Sequence, residues 1–166
     1  MKRLTGLILA LALPIVMMAQ SESVEKFQDK YSEDRDATFV SIRGSLFNFV
    51  ASIADFDDDP ESQAIGRIAD GIKSMQVLRV PYFESDLSRT EVSALKSALA
   101  KEKYEELMSV KEGREYVNIL AQGSASEIRN MLILVDNKDE FTLINIEGKL
   151  SMEDLSYLSK NHRNWH

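Results

Sequence analysis

The residues best suited to chemistry stand together at 54–61, Ala-Asp-Phe-Asp-Asp-Asp-Pro-Glu, where Asp55, Asp57, Asp58, Asp59 and Glu61 gather five carboxylates. Hard oxygen ligands at alternating positions are what a calcium loop needs, and Asp55, Asp57 and Asp59 fall at places 1, 3 and 5 of an EF-hand spacing. The spacing then fails where it discriminates most. Place 6 should be a glycine for the sharp turn and is Pro60; place 12 should be a bidentate glutamate and is Gly66. A looser calcium site from Asp55, Asp57, Asp59 and Glu61 stays open as the minority reading. The preferred reading is a helix start, with Asp59 as cap, Pro60 in the first helical position and Glu61 answering the positive end of the helix.

Other chemistries find less to work with. There is no cysteine, and the only histidines are His162 and His166 in the last five residues, beside Trp165. Their spacing of four would suit two ligands on a helix, but a solvated terminus is the simpler expectation. No HExxH, P-loop or GxGxxG pattern occurs. Paired carboxylates could do acid–base work without histidine. Glu102, Glu105 and Glu106 beside Lys101 and Lys103, however, read as a solvated helix end, and Asp136, Asp139 and Glu140 around Asn137 and Lys138 as turn residues. No catalytic residue, cofactor site or metal site is assigned.

The elements that would hold these groups follow from periodicity. Val24, Phe27 and Tyr31 mark a short amphipathic helix, and Thr38 to Ile42 a short strand. Leu46, Phe49, Val50 and Ile53 fall at i, i+3, i+4 and i+7, one apolar helical stripe; Ile65, Ile68, Ala69 and Ile72 repeat the pattern. Residues 75–83 read as a strand, with Pro81 at a sheet edge or strand end. Ser88-Arg89-Thr90-Glu91 is a capping box with Leu87 and Val92 as its staple, opening a helix to about Glu102. Ser151-Met152-Glu153-Asp154, flanked by Leu150 and Leu155, opens a second helix that ends near Ser159.

Between the two lie four strands in two hairpins, 104–110 with 116–122 and 128–135 with 141–147. Met131 to Val135 is apolar throughout, which predicts a central strand covered on both sides. Thr142 and Asn145 predict that the last strand has one partly wet face. Gly44, Gly113, Gly123 and Gly148 stand at element ends, where positive φ or tight turns are expected, while Gly66 and Gly71 inside a helix point to close packing, with a mobile helix or a partner surface as the alternative. Sequential hairpins with helices between them give an α+β fold, a largely antiparallel sheet of about five to six strands with helices packed on it.

The ends and composition set the context. Met1-Lys2-Arg3, an apolar run from Leu4 to Val16 and small Ala19 before Gln20 have the layout of a cleaved signal peptide over 1–19. The run is shorter than the roughly 20 residues that a membrane span needs. Without cysteine, a lipoprotein anchor is excluded, and no disulfide is available for stability. Cleavage would remove two cations and take the formal charge from −7 to −9. Such a balance argues against nucleic acid and against adsorption to anionic lipid. Residues 20–166 are expected to form one domain, periplasmic or secreted, with a short flexible tail from about 161 to 166 and no membrane insertion after cleavage.

The whole layout resembles the domain of unknown function 4252 family, small exported bacterial proteins. The resemblance is carried by Phe39-Val40-Ser41-Ile42-Arg43-Gly44-Ser45-Leu46-Phe47, by Tyr104 to Val110, and by an apolar strand, an acidic turn and a second strand closing in Ile146-Glu147-Gly148-Lys149-Leu150 before Ser151 to Leu158. It covers nearly all of residues 22–160 and implies export and this order of elements, with no reaction or catalytic residue to carry over. Members' genes lie near those of extracytoplasmic-function sigma factors, which implies an envelope-signalling or stress role. The expectation is a non-catalytic exported domain that binds another envelope protein, with homo-oligomerisation left open. The alternatives are a small-ligand binder or carboxylate-dependent enzyme of the periplasm, and a calcium module using residues 55–61.

Overall fold

The computed structural model describes residues 21–54, 56 and 58–161; the expected leader over 1–19, Asp55, Asp57, His162, Trp165 and His166 lie outside these. Five helices and six strands are found among the described residues: α1 (Glu22–Tyr31), β1 (Thr38–Arg43), α2 (Gly44–Ala54), α3 (Pro60–Gly71), β2 (Ile72–Pro81), α4 (Arg89–Lys101), β3 (Glu105–Glu112), β4 (Glu115–Gly123), β5 (Glu127–Asp136), β6 (Glu140–Ser151) and α5 (Met152–Asn161). The strands form one open sheet in the order β1-β2-β6-β5-β4-β3 with every pairing antiparallel. This is the α+β architecture that sequential hairpins require, here with six strands.

Local chemistry sets the helix ends. Ser88 accepts from the N–H of Glu91 while the Glu91 carboxylate takes the N–H of Ser88 (3.0 Å), a complete capping box. The far end of α4 closes as a Schellman turn: the N–H of Tyr104 reaches the carbonyl of Leu99 (3.1 Å) and that of Lys103 the carbonyl of Ala100 (3.3 Å). Leu99 and Tyr104 pack in one cluster, as that motif favours, and Lys103 sits at φ 65° where glycine is usual. At α5, Ser151 Oγ accepts from the N–H of Asp154 (3.3 Å), but the Asp154 carboxylate turns to Arg67 of α3 (Nε to Oδ1, 2.8 Å) instead of closing a second box. The helix runs two residues past the expected end at Ser159.

Two helical layers sandwich the sheet. On one face α1 and α4 lay Val24, Phe27, Tyr31, Val92, Leu95 and Leu99 against Leu78, Val80, Leu120, Leu132, Leu134, Phe141 and Leu143. The ring of Phe27 meets that of Phe141 edge-on at 5.6 Å. On the other face α2, α3 and α5 bring Phe47, Ile68, Met152 and Leu155 onto Met75, Ala121, Met131 and Ile146.

Several expectations are corrected. Ile72, counted in the helical stripe, is the first residue of β2, because the chain turns from α3 straight into the strand. Of the two places expected for Pro81 it takes the strand end and not the sheet edge, since it closes β2, an interior strand. Thr142 and Asn145 do not share a face: three residues apart on a strand, they point oppositely, and Asn145 is buried within the α1–α4 side. Among the four end-of-element glycines only Gly113 has positive φ, at 59°. At Gly148 the cause is space, since a Cβ there would stand 2.1 Å from the carbonyl oxygen of Gly71, where β6 crosses the α3–β2 junction.

Candidate functional site

The expected acidic site resolves in part. Asp59 Oδ2 accepts from the N–H groups of Glu61 (3.1 Å) and Ser62 (3.0 Å), with Pro60 in the first turn of α3, so it caps the helix as its position predicts. Glu61 stands in that first turn, and Asp55 and Asp57 lie outside the described residues. Among the described residues no group of three or more histidine, aspartate or glutamate side chains is disposed to hold a metal ion.

Glu102 is not the solvated helix end that its neighbours suggest. Its carboxylate reaches across to the first turn of α1, accepting from the Ser21 hydroxyl (2.6 Å) and the Ser23 N–H (3.0 Å). Burial pulls its carboxyl upward, yet these donors outweigh that and leave it below the usual carboxylate range. Asp136 is also more than a turn residue. It accepts from the Tyr82 hydroxyl (2.8 Å) and from Arg89 (2.9 Å), tying the end of β2 to the start of α4.

A polar seam crosses the α1–α4 face below the core. The pairing register sets Arg43, Ser74, Glu147, Asn130 and Gln122 side by side on β1, β2, β6, β5 and β4. Asn145 donates to Gln76 (3.2 Å) and Glu147 (3.4 Å), Asn130 to Gln122 (2.8 Å), and Gln122 to the Glu102 carbonyl (2.8 Å). The amides answer one another, which makes the seam a cohesive device rather than a set of donors aimed at a ligand.

The resolved shifts run away from neutrality. Hydrogen bonding to Lys30 and to the Ser88 N–H holds Glu91 down at about 2, and burial pushes Tyr104 up to about 12. Tyr82 is also pushed upward, first by burial and then by Asp136. None of these groups is poised near pH 7, where acid–base catalysis works best.

What the fold leaves open is apolar. On the α2–α3–α5 side the register lines up Val40, Val77, Ile144, Ile133, Ile119 and Met108, one residue from each strand, edge to edge across the sheet. The helices cover the row beneath it, and Val40, Val77, Ile133, Ile119 and Met108 belong to neither core cluster. Ile133 and Val135 of β5 are half-buried, so this central strand is covered on both sides at Ile128 and Met131 but beyond them sealed on one side only, by Leu132 and Leu134. A single-sequence reading finds strands but not which residues stand opposite each other, so this row was invisible to it.

The second open surface is α2. Its stripe of Leu46, Phe49, Val50 and Ile53 faces outward, with Phe49 61% and Ile53 55% exposed; inward go Ala51 and Phe47. Between α2 and α3 runs an open groove of about 440 Å³ lined by Val50, Ile53, Ala54, Phe56, Ser62 and Ile65. Among the described residues no helix is long and apolar enough to cross a membrane.

A family model described as a domain of unknown function, DUF4252, matches residues 31–158, which takes in β1 through most of α5. No curated protein and no solved structure matches the chain.

Proposed function

This chain belongs to the domain of unknown function 4252 family, and from that footing we propose that it is a non-catalytic exported domain that binds another envelope protein, in assembly, sensing or stress signalling. The observation that supports the reading is the apolar row Val40–Val77–Ile144–Ile133–Ile119–Met108. An unbroken apolar line across six strands is unfavourable to leave in water, and contiguous patches of that kind mark interaction surfaces. The sheet also ends in two unpaired edges, β1 and β3, with β3 exposed along its whole length. A partner laid on this face would find both an apolar floor and backbone groups at its sides. Export rests on the leader-like residues 1–19.

The test compares the tagged protein with a Val77→Thr/Ile119→Thr/Ile133→Thr variant in affinity capture from its native envelope. Threonine keeps β propensity while removing the apolar line. The reading expects a specific protein that the wild type recovers and the variant loses. Identical recovery by both proteins, or turnover of a defined substrate by the purified protein, would refute it.

A further inference from the structure

We propose that the α2–α3 groove docks a cationic amphipathic segment of a partner protein, its bulky apolar side chain seated among Val50, Ile53, Phe56 and Ile65 and its lysines or arginines set against Asp58 and Glu61. This deepens the docking role proposed above and rests on it. The groove has the size of a site for one or two large side chains, about 440 Å³. Its lining is presented to solvent: Phe56 is 91% exposed, Ile53 55% and Ile65 42%.

The sequence from the start of α2 to Gly66 of α3 bears charge of one sign. Residues 44–66 contain no lysine, arginine or histidine and five acidic residues, and α2 itself carries no charge at all. Asp58 and Asp59 are exposed in the loop between the helices, and Glu61 lies one turn before Ile65 on the same side of α3. The nearest following cation, Arg67, is held by Asp154 of α5. The positive end of α3 is already answered by Asp59 and Glu61, so the helix terminus offers nothing further to an anion.

These facts choose among occupants. An anionic membrane surface would meet like charge. A second copy docking groove to groove about a two-fold axis would bring the two acidic rims together. A free apolar ligand would draw nothing from the negative rim. An amphipathic helix or extended segment with cationic flanks satisfies both the apolar floor and the rim, the arrangement of helix-in-groove recognition.

The experiment uses fluorescence anisotropy with three labelled synthetic peptides: a 15-residue leucine/lysine amphipathic helix, its leucine/glutamate counterpart and an all-lysine chain. The leucine/lysine peptide should bind at least about tenfold more tightly than either control. Ile53→Ser should weaken it by about tenfold, and Asp58→Asn/Glu61→Gln by several-fold at low salt, with a flatter salt dependence. Equal binding of the leucine/glutamate peptide, or no loss in Ile53→Ser, overturns the assignment. Concentration-dependent dimerisation that blocks the peptide assigns the groove to a second copy and also overturns it. Should the peptide fail while capture still depends on Val77, Ile119 and Ile133, the groove assignment falls alone and the docking role stands.

Discussion

Replacing both Phe49 and Ile53 by serine should leave the protein folded. Full burial of such a side chain is worth about 1.5–3 kcal/mol. Phe49 is 61% exposed and Ile53 55%, so less than half of each surface is shielded to begin with. Each substitution then costs about 1 kcal/mol and the pair about 2 kcal/mol, an upper figure because the unfolded chain is itself partly collapsed. Serine and phenylalanine differ little in helix propensity, which adds little. Had the stripe faced a core, the pair would cost roughly 5–10 kcal/mol, comparable with the whole stability of a domain. Urea unfolding followed by far-ultraviolet circular dichroism separates the two cases through the midpoint at unchanged m-value. Leu99→Ala is the internal standard: Leu99 is fully buried, and its truncation should cost about 2–5 kcal/mol. A double variant that loses more than Leu99→Ala, or does not fold, would refute the outward placement of α2's stripe and with it the groove.

Lys103 carries a left-handed backbone at a position that suits glycine, so Lys103→Gly should stabilise by about 1 kcal/mol and raise Tm by about 2–4 °C. Lys103→Ala, which keeps the strain, should show no such gain in the same thermal melt. Gly148→Ala places a methyl 2.1 Å from the Gly71 carbonyl oxygen, and since that oxygen is backbone and the methyl has no rotamer to escape by, the cost should reach about 3 kcal/mol or more, read from the urea midpoint. Glu91 is held at about 2 against an ordinary 4.5, a lowered value, so its stabilising contribution is complete above pH 4.5 and fades as pH falls toward 2. Glu91→Gln keeps an acceptor for the capping box but not the charge. The stability difference between wild type and this variant should therefore shrink between pH 5 and 2 in acid titrations, and a difference that stays constant would count against the Lys30–Glu91 pair.

The sequence was most legible where a rule acts over a few residues. Ser88 with Glu91, Asp59 with Pro60, and the paired strands about Gly113 and Asn137 declare themselves locally, and each stands where its chemistry puts it. Periodicity was legible only in part. The spacing of Leu46, Phe49, Val50 and Ile53 marks an amphipathic helix without saying what covers the apolar side, and here no described element does. Ile72 continues a helical count through a junction that the backbone turns sharply. Glu102 looked like one charge among several because Ser21 and Ser23, its partners, lie some eighty positions earlier. The open apolar row and the polar seam depend on register across six strands, which irregularities in four of the five pairings shift locally. No property of one strand foretells them.

The strand order also carries a kinetic consequence. β3, β4, β5 and β6 pair with their neighbours in sequence, so this meander can zip by short closures. The β1–β2 unit, with α2 and α3 between its strands, joins the rest of the sheet only through β2 and β6, where Pro81 meets Glu140 and Ser74 meets Glu147. That closure has the greatest sequence separation of the five pairings and is entropically the costliest step, which slows folding. During synthesis β2 therefore waits, half-paired, until the sixth strand has been made. A chain interrupted before residue 140 would present bare edges on both β2 and β5, the two most apolar places at which unfinished copies could find one another.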